Sequence, residues 1–359
     1  KDCLALPSRK RGRMGILSFY PRKTYTLFKG EVLVLPSRIV VFLFVVVLLF
    51  LPVVTQDPYL LRILILTSIF AILAASWDFL SGFTGQINFG HALFFGVGAY
   101  TSALLNLYVH IPPYGSVPLG GLAAVLAGLI IGIPCLRLRG TYLALTTLAF
   151  PIILMGIIFA IPGITGGELG VSGLSRLSGS RLYDYYITVV LMLGLCTIMW
   201  KITDSKTGII FHAIREDELA VRTAGINTTR YKLLAFSLSG FFAGISGGLY
   251  AHFMRIAGPS TLEVSLSFTV VIWAVFGGIV TIYGPVGAVF LLFPLLEFLR
   301  FWPEFRMLMF AVVILLILLY MPDGFFPWVR DKIEKECPRC KVRNIATRKT
   351  CRVCTAPLD

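Results

Sequence analysis

Charge is what this chain has least of. Only 14% of its 359 residues are Asp, Glu, Lys or Arg, where an average soluble protein carries about 25%. Residues 39–327 hold 26 charged side chains, and ten of those fall between 201 and 232. The remainder of that span has 16 charges in 257 residues, too few to keep a folded surface in water. A soluble enzyme is excluded. Histidine is scarce too, four in all, and His110, His212 and His252 show no metal-ligand spacing. The Gly-x-x-x-x-Gly-Lys-Ser/Thr loop that cradles nucleotide phosphates does not occur. The chain is therefore expected not to be an enzyme and to bind no ATP of its own.

What the sequence has in abundance is apolar length. A membrane helix needs about 20 apolar residues, and such runs lie at about 39–55, 59–81, 88–108, 118–136, 141–161 and 184–202. Four more follow the charged stretch, at about 232–255, 266–282, 286–301 and 304–321. The expected fold is an all-α polytopic membrane protein of about ten transmembrane helices, with a small C-terminal zinc-ribbon-like module. Three segments result: a basic tail 1–38, a transmembrane domain 39–327 with a cytoplasmic loop at about 204–232, and a tail 328–359. Net charge divides as +7 in the first tail, +5 in the last and +2 in residues 201–232. Basic segments beside membrane helices stay in the cytoplasm. Six crossings and then four return the chain to its starting side, so all three charged segments are expected inside. Arg137 and Arg139 also fall inside, whereas Arg176, Arg181, Arg300 and Arg306 fall outside. Topology thus accounts for the basic balance, and no nucleic-acid partner is expected. The first apolar run lacks a small-x-small cleavage site and continues as Leu51-Pro52-Val53-Val54, which reads as an uncleaved helix. The tail 1–13 suits water or anionic lipid.

Two apolar stretches are interrupted by glycine. Gly82, Gly85, Gly90, Gly96 and Gly98 crowd the first, and Gly277, Gly278, Gly284 and Gly287 the second. Small residues let helices approach closely. Alternatively, both mark broken helices of the kind that receive an anionic substrate group in transporters. Ionisable residues inside the membrane are functional candidates by default. Asp78 sits in the second span near its cytoplasmic end, and His91 among glycines and aromatics; Glu297 and Arg300, three apart, suit a pair on one helix face.

The stretch 85–100, GQINFGHALFFGVGAY, resembles the early signature of branched-chain amino-acid ABC transporter permeases. Residues 136–144, LRLRGTYLA, resemble the segment that marks one of that family's two permease types. Thr165-Gly166-Gly167 and Gly170-Val171-Ser172-Gly173 resemble its "TGG-GLxG" loop, and 213–220 with 224–232 its cytoplasmic loop. The likeness covers roughly residues 59–325 in the family's order. Asp78 stands where the family more often has Asn. The resemblance implies an importer permease in the cell membrane, moving branched-chain amino acids inward. Its implied partners are a second permease subunit, two ATP-binding-cassette subunits that bind and hydrolyse ATP, and an extracytoplasmic substrate-binding protein. Urea and short-amide permeases share the pattern, and leave the solute open.

Within the charged loop a short helix would carry Glu216, Asp217 and Glu218 near its start and Arg230 and Lys232 near its end, in keeping with the helix dipole. Gly225 suits a C-terminal stop. Taken alone, such a charge run fits a solvated loop. The resemblance instead implies a coupling helix seated on the ATPase subunit, with Glu216, Asp217, Glu218, Ala220 and Gly225 as its residues. For the translocation path the candidates are Asp78, Gln86, Asn88 and His91, with Ser102 and Asn106 as further polar groups among aliphatic walls.

The C-terminal tail departs from the family. Cys337, Cys340, Cys351 and Cys354 form C-x2-C-x10-C-x2-C. Two such knuckles supply four thiolates to a tetrahedral, structural zinc ion. Two disulfides are disfavoured in a reducing cytoplasm, and iron is the lesser metal alternative. With only Val342, Ile345, Val353 and Leu358 as apolar material, the tail has no core without metal. Cys3, Cys135 and Cys196 are scattered. A second functional class follows from this tail: a membrane-embedded sensor or regulator whose ribbon binds protein or nucleic acid through Arg339, Lys341, Arg343, Arg348, Lys349 and Arg352.

Overall fold

The computed structural model describes residues 36–55, 57–135, 138, 140–299, 308, 311–312, 315, 319–321, 324–337, 343–346 and 350–351. Two compact units are distinguished, residues 49–328 and residues 1–48 with 329–359. Helices dominate the described residues: α1 (Pro36–Val54), α2 (Pro58–Trp77), α3 (Ala92–Tyr108), α4 (Pro113–Cys135), α5 (Thr141–Ala160) and α6 (Arg181–Thr203). The charged loop forms α7 (Lys206–Glu216) and α8 (Glu218–Thr223); α9 (Thr228–Met254), α10 (Val264–Gly277), α11 (Tyr283–Phe298) and α12 (Phe325–Ile333) follow.

Helix starts follow local chemistry. Pro58 opens α2 while the Asp57 carboxylate accepts from Tyr59 N at 3.0 Å, a proline-plus-cap start. Asn227 Oδ1 accepts from Arg230 N at 3.2 Å and caps α9. Hydropathy and length suit α2 with its π-helical extension to Gly82, α4, α5, α6 and α9 to crossing a membrane. Four further apolar helices among the described residues are shorter. At 14 and 16 residues, α10 and α11 rise only about 21 and 24 Å against a hydrocarbon core of about 30 Å. The last apolar run, 304–321, lies largely outside the described residues, as does the first tail.

Helix α9 is the centre of this body, packed on α4, α3 and α2. The contact is backbone on backbone. A Cβ on Gly98 would lie 2.1 Å from the Gly244 carbonyl oxygen, and one on Gly247 1.9 Å from that of Phe95. Glycine is therefore obligatory at this crossing, the small-residue packing of membrane bundles. Outward faces stay apolar: Tyr142, Leu145, Ile152, Ile153 and Ile157 of α5 are exposed.

The connections sort to two ends. At one, β1 (Val171–Ser172) pairs antiparallel with β2 (Ile256–Ala257), which follows α9. His252 Nδ1 lies 2.9 Å from Ser175 O and donates to it; Nε2 lies 3.0 and 2.9 Å from the Ser102 and Ser116 hydroxyls. Asn106 Oδ1 accepts from Ser175 N and Oγ. The other end gathers residues 83–91, the loop with α7 and α8, and the α10–α11 junction at 278–282.

In the smaller unit β3 (Glu334–Glu336) pairs antiparallel with β4 (Arg343–Ile345), Glu336 opposite Arg343.

Candidate coupling element and helix break

Helix α2 does not end cleanly. Its last turn widens into a π-helix, Asp78–Gly82, and residues 85–91 are non-helical before α3 begins. The glycine-rich stretch is thus a true break. Gly85 has φ +70° and its Cα faces Arg215 of α7: a Cβ there would come within 3.3 Å of the Arg215 side chain. Trp77 Nε1 donates to Asn88 O at 2.6 Å, and Phe89 N donates to Thr147 Oγ1 of α5 at 3.2 Å, which fixes the irregular backbone.

The second glycine cluster is a break as well, between α10 and α11, and the two breaks meet. Asp78, fully buried, accepts from Val280 N through Oδ1 at 2.9 Å and from Thr281 N through Oδ2 at 3.0 Å. Val280 has φ 69°, a conformation that a β-branched residue rarely holds unsupported. Both Asp78 oxygens thus serve the fold. The other three path candidates differ. Gln86, Asn88 and His91 are buried, yet Gln86 Oε1, Asn88 Nδ2 and His91 Nδ1 have no hydrogen-bond partner among the described residues. His91 Nε2 does contact Ser76 Oγ at 2.8 Å, and Gln86 Nε2 donates to Thr84 Oγ1 at 3.1 Å. Asn88 borders a crevice walled by Leu93, Phe94, Ile131 and Phe150, too narrow for a water molecule. Unsatisfied buried polar atoms are costly and call for a functional or solvent explanation. Ser102 and Asn106 lie away from this break, at the other end, joined through the His252 and Ser175 contacts already described. Glu297 accepts from Tyr59 Oη at 3.2 Å, and Arg300 lies outside the described residues.

Beneath the break sits the charged loop. Phe211 of α7 is fully buried and meets Phe79 edge-on, ring centroids 5.8 Å apart. His212 meets Phe83 at 5.2 Å; burial, and the charge of Arg215, hold its imidazole below the ordinary histidine pKa against the opposing pull of Glu216. The loop forms two helices, where the acidic run suggests one. Glu216 ends α7. Asp217 breaks the helix and caps α8, accepting from Leu219 N at 2.8 Å and Ala220 N at 3.1 Å. At the far end, Gly225 N donates to Arg222 O and Ile226 N to Val221 O. With Gly225 at φ +82°, this is a Schellman stop.

Of the expected coupling residues, Glu216, Asp217, Ala220 and Gly225 are exposed. Glu218 is turned inward, its side chain only 20% exposed. Leu219, 68% exposed beside them, is a residue that sequence reasoning passed over, although an apolar side chain at the tip of a charged loop was visible.

In the smaller unit, Cys337 follows β3 directly and Cys351 follows Thr350; both are buried. Asn344 Nδ2 lies 3.6 Å from Cys351 Sγ and donates to it. Cys340 and Cys354 lie outside the described residues. Among the described residues no three metal-ligating side chains gather.

Residues 59–318 match the family described as "Branched-chain amino acid transport system / permease component". Over 305 residues the chain is 30% identical to the high-affinity branched-chain amino acid transport system permease protein LivM of Salmonella typhimurium, covering 77% of this chain and 72% of that one. The LivM of Escherichia coli is also 30% identical, over 75% of this chain and 70% of its own. The guanosine ABC transporter permease protein NupQ of Bacillus subtilis is 26% identical, over 60% and 73%. No solved structure matches.

Proposed function

We propose, from the premise that the chain belongs to the branched-chain amino acid transport permease family, that this multi-pass membrane protein is one permease subunit of an ATP-driven importer for branched-chain amino acids. A second permease, two ATP-binding-cassette subunits and an extracytoplasmic binding protein complete it, and ATP is bound and hydrolysed by the cassette subunits. One observation carries this reading. Helix α7 of the charged loop packs through Phe211, His212 and Arg215 directly on the break that holds Gln86, Asn88 and His91. A push on the exposed side of α7 and α8 has a short mechanical route to those polar atoms.

In this account the ATPase subunit seats on Glu216, Asp217, Leu219, Ala220 and the Gly225 turn. Gln86, Asn88 and His91 form part of the path; Asp78 stitches the two breaks and leaves the path to the other three. In this conformation the crevice beside Asn88 has no room for a water molecule. When the loop moves, the unpaired amide and imidazole atoms become available to the polar head of a zwitterionic solute, while Leu93, Phe94 and Ile131 suit its aliphatic tail. The positive-inside pattern supports a cytoplasmic position for both tails and the loop. Membrane-impermeant thiol reagents should then reach a cysteine at Glu168 in intact cells and miss one at Ser205. Cys337, Cys340, Cys351 and Cys354 hold one zinc ion, which organises the tail structurally.

The test is assembly and uptake. The chain, co-expressed with its cassette subunits and second permease and reconstituted with ATP inside, should accumulate labelled leucine, isoleucine or valine in the presence of the binding protein. The likeness to a guanosine permease favours a second reading, another small solute on the same machine. Uptake of guanosine or urea with no uptake of the three amino acids would replace the substrate and keep the mechanism. No ATP-dependent uptake of any solute, with no cassette subunit bound, would leave the sensor reading in its place.

A further inference from the structure

Sequence alone offers Glu218 as one more acidic residue on the docking face. Its contacts give it a different task. Glu218 Oε1 accepts from Arg222 Nη2 at 2.5 Å and from Thr228 Oγ1 at 3.2 Å; Oε2 accepts from Lys232 Nζ at 2.6 Å. Arg222 Nε also donates to Thr228 Oγ1, at 2.9 Å. Both carboxylate oxygens are thus spent on the chain itself. The Lys232 side chain is 12% exposed and Thr228 is buried, so those two arms are sheltered, while Arg222, its side chain 43% exposed, closes the network on the solvent side. Three of its four members are charged, and such hydrogen bonds are roughly twice as strong as neutral ones. Thr228 is the first residue of α9, where the helix dipole also favours a nearby anion.

We infer that Glu218 is the positioning residue that ties the coupling helix α8 to the first two turns of α9, rather than a contact for the ATPase subunit. This rests on reading α7 and α8 as the coupling element. The consequence is mechanical. Helix α9 runs through the centre of the membrane body, glycine to glycine against α3 and carbonyl to glycine beside Phe95. A displacement of α8 reaches α9 most directly through this tie. Without it, α8 keeps the Asp217 cap, the Gly225 turn and the Arg222–Thr228 bond, and the share of the motion that passes to α9 is weakened. Burial pulls the Glu218 carboxyl upward, but the Lys232 and Arg222 charges with the Thr228 hydroxyl outweigh it and hold the group below the usual carboxylate range. It is therefore ionised at neutral pH.

The experiment uses the assembled importer and measures two quantities: cassette subunits co-purified per permease, and labelled leucine taken up per ATP hydrolysed. Glu218→Gln, Glu218→Ala, Lys232→Met and the double variant Glu218→Ala with Lys232→Met are compared. A tie predicts unchanged co-purification and about tenfold less uptake per ATP in Glu218→Ala and Lys232→Met. The double variant should be no worse than either single, because residues acting through one contact are non-additive. Loss of co-purification in Glu218→Ala, compounded in the double, would make Glu218 a docking contact and overturn the inference while keeping the coupling loop. Unchanged uptake per ATP in all variants also overturns it. The membrane body is expected to fold without the tie, so disappearance of Glu218→Gln from the membrane contradicts a positioning role. If the unaltered chain binds no cassette subunit, the underlying reading fails first, and visibly so.

Discussion

Replacing Asp78 with Ala removes two acceptors at once. Val280 N and Thr281 N, now 2.9 and 3.0 Å from its oxygens, would be left without partners at the α10–α11 break. An unpaired buried donor costs about 1–3 kcal/mol, so the pair costs about 2–6 kcal/mol. Val280 adds strain, since holding a non-glycine residue at φ 69° costs on the order of 1–3 kcal/mol once its support is gone. Against this, removing a buried carboxylate relieves its desolvation. The net expectation is the low end, about 2–3 kcal/mol. At roughly 2–4 °C per kcal/mol for a body of this size, the unfolding midpoint should fall by roughly 5–10 °C. Asp78→Asn keeps one acceptor and turns an amide N–H toward the other donor, so its loss should be about half. Hydrogen exchange in detergent locates the effect: the amides of 280 and 281 should lose protection in Asp78→Ala, whereas those in the α9 core should not. Unchanged protection at 280 and 281 would refute the stitch between the two breaks.

Gly225→Val places a β-branched residue at φ +82° where only glycine sits comfortably. A Cβ there meets nothing within 4 Å, so the harm is conformational; co-purified cassette subunit should drop while membrane insertion is kept, and normal docking would contradict the Schellman stop. For pH, Glu218 has a depressed folded pKa, so its contribution is full above the unfolded value of about 4.3 and is lost as pH falls through the folded value. The difference in coupling between the unaltered chain and Glu218→Gln should be flat from neutral pH down to about 5 and close only in stronger acid; closure near neutral pH would rule out the ion-paired carboxylate. His212, common to both, cancels in that difference. The purified chain should carry about one zinc, as four cysteine ligands require, and removing residues 334–359 should release the metal without abolishing uptake; a metal-free tail would end the ribbon reading.

Much of this was legible because the signals were periodic or compositional. The apolar runs gave the helices, since a membrane demands length and low charge whatever the tertiary packing. The glycines around 82–90 and 277–287 fitted either close helix packing or broken helices, and the structure has both stretches broken. That the breaks face each other through Asp78 was not legible, because residues 78 and 280 are brought together by helix packing and by no local rule. The acidic run 216–218 looked like the start of one helix; Asp217 instead divides two, its short side chain competing for Leu219 and Ala220 N–H as a cap. Arg222, four residues beyond Glu218, was a visible helical partner. Lys232 was not, lying 14 residues away. Phe211 stands in the mostly apolar stretch 209–214, and nothing in sequence tells an aromatic anchor under a helix break from one facing lipid.

The central claim is that ATP-driven motion of the α7–α8 loop opens the break beside Asn88. Asn88 is 2% exposed at rest, so a cysteine in its place should resist a small thiol reagent in the resting importer. During ATP turnover with binding protein and leucine it should become reactive, and Phe211→Ala, which removes the loop's aromatic anchor, should abolish that gain while ATP hydrolysis continues. Equal reactivity at rest and in turnover, or a gain that survives Phe211→Ala, would contradict the account.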